Sequence, residues 1–300
     1  MYGRKRKSMR YTHGAVVAAA QWAKATKPAR PAPLTALWLV CLLAAGCGRA
    51  YLGPPTDTPE GQLEGGRRLL EEERYYDAIT ELEAFTSQNP GSGLLDTALF
   101  YLGEAYLGRR DYPMAASEFE RLLREFPGSG HASVARYRLG VAYFEQSPAA
   151  ELDPTMTERA LEQLRLFMKL HPQSEHVADA QAKVEELRAK LAKKHYLNGN
   201  LYIRLKEAAA SRFYFGIVVG EYADTAWAPL SILGLARSYE IEEKPEMAIE
   251  QYKKLLKSYP GSDGAAQARA RLRELGAGVA GLEDGAAGDD ERDSTHEEEP

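Results

Sequence analysis

Apolar residues between Thr58 and Leu275 recur at the three- and four-residue spacing of amphipathic helices, and five similar stop signals interrupt them. Four signals contain a proline, which cannot continue a helix, and in the fifth an alanine takes its place. Each signal ends in a Ser or Thr that is placed to cap the following helix. The signals are Asn89-Pro90-Gly91-Ser92, Phe126-Pro127-Gly128-Ser129, His171-Pro172-Gln173-Ser174, Tyr222-Ala223-Asp224-Thr225 and Tyr259-Pro260-Gly261-Ser262. The pattern predicts a repeated helical unit.

The segment from Asp96 to Ser129 shows the unit most clearly. Its residues resemble the tetratricopeptide repeat, which consists of a helix, a short turn and a second helix. A Gly or Ala stands where the two helices cross, because only a small residue permits close backbone approach, and large apolar residues fill the space on either side. The matching positions are Leu102, Gly103, Tyr106, Ala115, Phe119, Leu122 and Pro127.

Four other units carry the same pattern less regularly. The third unit fits only if the loop from Gln146 to Thr155 carries eight extra residues. The positions are Gly66, Leu69, Ala78, Leu82, Phe85 and Pro90 in the first unit; Leu139, Gly140, Tyr143, Ala160, Leu164, Phe167 and Pro172 in the third; Gly199, Tyr202, Ser211, Phe215, Val218 and Ala223 in the fourth; and Leu235, Ala236, Tyr239, Ala248, Tyr252, Leu255 and Pro260 in the fifth. The sequence predicts an all-α tetratricopeptide superhelix, or solenoid, of five helix-turn-helix repeats over residues 58–275.

Two segments of the chain need a separate interpretation. An amphipathic stretch from Val177 to Leu191 has helical spacing and is predicted to fuse with the first helix of the fourth repeat. The run from Phe213 to Val219 has the composition of a strand. We nevertheless predict a helix there, because its large residues fit the phase of the repeat and no neighbouring segment offers a strand partner.

The first 46 residues have the composition of a secretory signal. They carry eight Lys or Arg and no acid, and an apolar run from Leu34 to Ala45 follows. The sequence Leu43-Ala44-Ala45-Gly46-Cys47 then resembles a bacterial lipobox, although Ala44 stands where that pattern prefers Leu. The alternative is an unmodified signal-peptide cysteine, as at Cys41. We predict that Cys47 is lipidated, that residues 47–57 form a tether, and that the body lies at the periplasmic face of the outer membrane.

Charge and composition disfavour several functions. The folded part is only mildly acidic, so it lacks the basic stripe that nucleic acid binding requires. Residues 276–300 carry nine acids and one Arg with little apolar bulk, which predicts a disordered acidic tail. The His residues lack the spacing of a metal site, and no nucleophile motif occurs. We therefore expect no cofactor, no metal and no enzymatic activity.

The lipobox, five repeats, the insertion in the third and the long helix after it together resemble the BamD family, lipoproteins of the outer-membrane β-barrel assembly (Bam) complex. The resemblance covers roughly residues 58–262. It is most specific at Asp153-Pro154, Arg159-Ala160, Pro172-Gln173-Ser174, Leu187 to Ala192 and Tyr202 to Thr225. It departs at Ala223, where the family is expected to have a proline, and in the acidic tail.

The resemblance implies a scaffold that binds the POTRA region of a BamA-like barrel protein, mainly through the C-terminal repeats. It also implies contacts with nascent barrel substrates through the N-terminal repeats, and with other Bam lipoproteins. We select Arg204, Lys206 and Arg212 as charged candidates for the main interface, although each is equally compatible with a solvated helix face. The alternative function is a tetratricopeptide lipoprotein scaffold for secretin or pilus assembly, or for the coordination of envelope growth.

Overall fold

A computed structural model of the chain describes residues 58–277, and within them it contains eleven α-helices and no strand. Cys47 and almost all of the acidic tail lie outside the described residues. The helices are α1 (Pro59–Glu71), α2 (Tyr75–Gln88), α3 (Leu95–Gly108), α4 (Tyr112–Glu125), α5 (Ala132–Gln146), α6 (Thr155–Leu170), α7 (Val177–Arg204), α8 (Ala208–Glu221), α9 (Trp227–Ile241), α10 (Pro245–Ser258) and α11 (Asp263–Glu274).

The first ten helices form five packed pairs, from α1 with α2 to α9 with α10, and each pair also contacts the next along the chain. Helix α11 follows as an additional helix that packs on α9 and α10. This is the predicted all-α tetratricopeptide solenoid. None of the helices within the described range has both the length and the hydrophobicity that crossing a bilayer requires.

A small residue lies at the crossing point of each helix pair. In the first four repeats a glycine of the first helix faces a large buried side chain of the second, and a Cβ on any of these glycines would lie 2.6 Å from that side chain. The pairs are Gly66 with Leu82, Gly103 with Phe119, Gly140 with Leu164, and Gly199 with Phe215. The glycines therefore allow the two helices of a repeat to approach each other closely.

Four of the five turns inside the repeats share one backbone geometry. Each has three residues, and the middle one is left-handed: Glu73, Arg110, Lys206 and Glu243 have φ between 57° and 63°. The amide after each of them donates to a carbonyl of the preceding helix, as Glu207 N does to Tyr202 O at 2.9 Å. This is a Schellman ending built without glycine, and it satisfies carbonyls that the helix end leaves free.

The insertion in the third repeat is a longer turn held by the long helix. The turn between α5 and α6 has eight residues, five more than the turns inside the other repeats. The other three of the eight extra residues lie in the helices, because α5 is one residue longer than α3 and α6 is two residues longer than α4. Lys190 and Lys194 of α7 hold this turn, because their ammonium groups donate to Ser147 Oγ at 3.0 Å and Leu152 O at 2.7 Å. The insertion and the long helix thus form one structural unit.

The strand-like run from Phe213 to Val219 is helical, as the repeat phase predicts, and lies in α8. Ser211, Phe215 and Val218 of this helix are fully buried. Phe215 lies between the buried groups of the first four repeats and those of α9 to α11. Its ring is inserted between Gly199 of α7 and Gly234 of α9. The aromatic ring therefore joins the fourth repeat to the fifth.

Candidate protein-interaction surface

The three charged candidates selected from the sequence occupy two different environments in the fourth repeat. Arg204 is the last residue of α7, and Lys206 is the left-handed residue of the turn to α8. Both side chains are exposed, and neither forms an ion pair within residues 58–277. Arg212 lies one turn into α8 and is half-buried. The remaining candidate, Cys47, lies outside the described residues.

Three large apolar side chains close to Arg204 and Lys206 in the sequence are exposed. Leu201 is 43% exposed, Leu205 58% and Phe213 64%, although large apolar side chains are ordinarily covered. We call residues 201–213 the repeat-4 tip. A group of exposed apolar side chains with charged residues around it is typical of a surface that binds another protein.

Aromatic side chains pack against one another at the repeat-4 tip. The rings of Tyr202 on α7 and Tyr214 on α8 stack with centroids 5.4 Å apart and planes 8° apart. The ring of Phe213 meets Tyr214 edge-on at 5.3 Å. Because Phe215 is fully buried one residue further along α8, the exposed Phe213 is presented on a rigid support.

Arg212 connects the fourth repeat to the fifth. Its guanidinium donates to Glu242 Oε1 at 2.7 Å and lies 4.9 Å from the ring centroid of Tyr239 on α9. The hydrogen bond from Arg212 holds the pKa of the Glu242 carboxyl below its usual range. Unlike Arg204 and Lys206, Arg212 has an ion-pair partner within residues 58–277. A substitution of Arg212 would therefore disturb the contact between the fourth and fifth repeats, whether or not another protein binds there.

A second joint explains how the fourth stop signal works without a proline. Arg188 of α7 donates from Nε to Asp224 Oδ2 at 3.0 Å and from Nη2 to Glu221 O at 2.7 Å. The hydrogen bond from Arg188 lowers the pKa of Asp224. Tyr259 Oη donates to Ala223 O at 2.8 Å. Side chains from α7 and from the end of α10 therefore fix the chain where proline is missing.

In the N-terminal repeats, tyrosine hydroxyls link each repeat to the next. Tyr106 donates to the carboxylate of Glu83 in the preceding repeat, and Tyr143 donates to that of Glu120. Burial, and then the bond to Glu120, raise the pKa of Tyr143 to about 12. Sequence reasoning treated these tyrosines as packing residues and missed the bonds. The spacing of 23 residues between donor and acceptor, the same in both pairs, is the signal that could have found them.

The exposed apolar residues of the repeat-4 tip were also missed. Phe213 was assigned to a helix, but its exposure was not considered. It lies two residues from both Ser211 and Phe215, so it points away from the side that they bury. A large apolar residue at an outward helical position was the available signal.

The comparison with known families agrees with this architecture. The sequence profile of the family YfiO, described as outer membrane lipoprotein, matches residues 56–241, which is more than half of the chain. The chain belongs to this family. A general tetratricopeptide repeat profile also matches residues 231–262, which lie in the fifth repeat and the turn before α11.

Individual relatives are more distant than the family match. The outer membrane protein assembly factor BamD of Caulobacter vibrioides is 26% identical over 214 residues, covering 70% of this YfiO-family chain and 70% of the relative. Among solved structures, a thermophilic TPR protein of Thermus thermophilus is 22% identical and covers 73% of this chain and 98% of its own, with a TM-score of 0.33. The TPR2AB domain of yeast Sti1 is 14% identical, with 72% and 82% covered and a TM-score of 0.37.

Proposed function

We propose that this chain is a non-enzymatic scaffold subunit of the complex that assembles β-barrel proteins in the outer membrane. The observation that carries the proposal is membership of the outer membrane lipoprotein family over residues 56–241, together with the similarity to an assembly factor of that membrane. A solenoid suits this role, because it presents a long preformed surface and loses little conformational entropy on binding.

The same proposal places the protein at the membrane through Cys47. A lipid on Cys47 and a tether over residues 47–57 would hold the solenoid at the periplasmic face of the outer membrane. Confinement to a membrane surface raises the effective concentration of the solenoid against other anchored subunits. A weak surface contact would then suffice for stable assembly.

For the main contact we assign the fourth and fifth repeats to the POTRA region of a BamA-like barrel protein. The repeat-4 tip supports this assignment, because Leu205 and Phe213 offer apolar area on a rigid base and Arg204 and Lys206 offer charges that form no ion pair within residues 58–277. Buried apolar anchors contribute most of the affinity of such contacts, whereas charges at the rim mainly set orientation and association rate. Contacts with nascent barrel substrates are assigned to the N-terminal repeats, and other Bam lipoproteins are further partners.

The test is co-purification of the tagged full chain from detergent-solubilised envelope, with the captured proteins identified by mass spectrometry. The wild type is expected to capture a POTRA-bearing barrel protein. The double variant Leu205→Ser with Phe213→Ser is expected to lose most of it, and a chain ending at Gln173 all of it. Leu170→Ser is the matched control, since Leu170 is a leucine 52% exposed at the end of α6, outside the fourth and fifth repeats.

Two results would overturn the proposal. Capture of a secretin or a cell-wall synthase without any POTRA protein would favour the alternative scaffold function. Equal capture by the Leu205→Ser, Phe213→Ser variant and the wild type would remove the repeat-4 tip from the interface.

A further inference from the structure

The described part of the chain ends at the same edge of the solenoid as the repeat-4 tip. Helices α7, α9 and α11 are neighbours in one row, and two side-chain contacts place their C-terminal ends at the same edge of the solenoid. Arg271 in the last turn of α11 donates from Nη2 to Glu240 Oε1 in the last turn of α9 at 2.9 Å. One residue beyond α9, Glu242 accepts from Arg212 of α8, next to Phe213. The segment that follows Ala277 therefore starts two helices away from the tip.

The length of that segment matches the separation. Neighbouring packed helices lie about 10 Å apart, so the end of α11 is about 20 Å from the end of α7. Six residues in an extended chain span about 20 Å. Counted from Ala277, Leu282 is the fifth residue and Glu283 the sixth, so the side chains of Leu282, Glu283 and Asp284 fall within reach of the tip, whereas Val279, only two residues on, does not.

We propose that residues 278–300 bind in cis to the repeat-4 tip, with Leu282 against its exposed apolar side chains and the acids that follow Leu282 against Arg204 and Lys206. The charges are complementary, since the segment carries nine acids and one Arg while the two cations of the tip have no ion pair within residues 58–277. Such a contact needs no regular structure in the segment, because apolar anchors and charge pairs form with an extended chain.

A second cationic surface lies on α10, where Lys253, Lys254 and Lys257 are exposed. Helix α10 has one large apolar side chain that is exposed, Met247 at 42%, whereas the repeat-4 tip has three, Leu201, Leu205 and Phe213. Helix α10 therefore attracts an acidic segment but gives Leu282 less apolar surface to pack against. The repeat-4 tip, which offers the larger apolar surface with its cations, is the better fit.

The consequence for regulation rests on the proposed function. If the repeat-4 tip also binds the partner, the C-terminal segment occupies the same residues and competes with it in cis. A partner with apolar anchors and acids of its own would then displace the segment. This competition raises the partner concentration needed for binding and disfavours weakly matched proteins.

The binding in cis is tested on the full chain with a photo-crosslinking amino acid at Leu282, at a protein concentration low enough to suppress crosslinks between molecules. Crosslinks mapped by mass spectrometry are expected on residues 201–213. The double variant Arg204→Glu with Lys206→Glu is expected to reduce them at least fivefold, and 0.5 M salt is expected to do so in part. Lys253→Glu with Lys257→Glu is the control of equal charge change, and it should leave them in place.

The variant at Lys206 is designed to keep the fold, because Glu73 and Glu243 already occupy the same left-handed turn position in the first and fifth repeats. Circular dichroism checks that the helix content is unchanged. The proposal would be overturned if the crosslinks were concentrated on α10, if the Arg204 and Lys206 substitutions left them unchanged, or if no crosslinks within the chain formed.

The competition is tested by ending the chain at Ala277, which is expected to raise capture of the partner at least twofold in the co-purification experiment. Unchanged capture would refute competition. The crosslinking result needs no partner, so a failure of the proposed function would leave it intact and the two failures can be told apart.

Discussion

Replacing Gly199 with Ala tests whether close packing around Phe215 holds the fourth and fifth repeats together. The new Cβ would lie 2.6 Å from Cε1 of the Phe215 ring, well inside ordinary van der Waals contact. The ring cannot retreat, because Gly234 of α9 is pressed against its other side and the side chain is fully buried. The structure must therefore shift α7 away from α8 or force the ring out of its rotamer.

The magnitude follows from comparison with a second glycine. Gly216 lies in α8 and is exposed, with no atom within 4 Å of its Cβ position. Ala at either site gains roughly 0.5–1 kcal/mol from the higher helix propensity of Ala. Overpacking at position 199 costs about 1–3 kcal/mol in addition. Gly216→Ala should be more stable than the wild type, and Gly199→Ala less stable than Gly216→Ala by that overpacking cost.

The assay is thermal and urea denaturation of the purified protein, followed by circular dichroism. For a body of this size the difference between the two variants corresponds to roughly 2–12 °C in Tm. Hydrogen exchange is expected to quicken mainly in α8 to α11, because a solenoid transmits stability only between neighbouring repeats. Equal Tm values for the two variants would refute the packing argument for Phe215.

Three further predictions concern the anchor and the joints between repeats. Cys47→Ala should move the protein out of the outer-membrane fraction or leave it unprocessed, and its persistence in that fraction after a salt wash would contradict lipid anchoring. Arg188→Ala should lower the free energy of unfolding by about 1 kcal/mol at pH 7. Because the pKa of Asp224 is lowered in the folded protein, the contribution of the ion pair is present above pH 3.8 and is lost as the pH falls through the lowered pKa. The urea denaturation curves of the variant and the wild type should therefore converge in acid. Because the pKa of Tyr143 is raised to about 12, the contribution of the neutral hydroxyl to the free energy of unfolding is complete below pH 10 and is lost as the pH rises toward 12. Tyr143→Phe should therefore reduce the fall in the free energy of unfolding over this pH range, as measured by denaturation curves.

The repeat architecture was predictable because each repeat carries a strong local signal. The crossing glycines Gly103 and Gly140, and Phe215 despite its strand-like neighbours, were assigned correctly from their spacing. The long helix α7 was also predicted, since its amphipathic phase continues without a stop signal.

The contacts between repeats were less predictable. Gly234 was not selected, because its role depends on Phe215, which reaches it from the preceding repeat. Arg212 was selected as a charged surface residue, whereas its position opposite Glu242 depends on the angle between two repeats. Single-sequence patterns describe one helix face at a time, and they do not specify which side chains meet across neighbouring repeats.

The central claim is that the protein serves the assembly of barrel proteins as a class, and depletion of the chain tests it most directly. Its synthesis would be switched off in growing cells, and the outer-membrane proteome would be quantified before growth stops. The account predicts a joint fall of β-barrel proteins of different sequence, while lipoproteins without a barrel keep their levels. Unchanged barrel levels, with loss of a secretin or a pilus or with a defect confined to cell-wall growth, would contradict it.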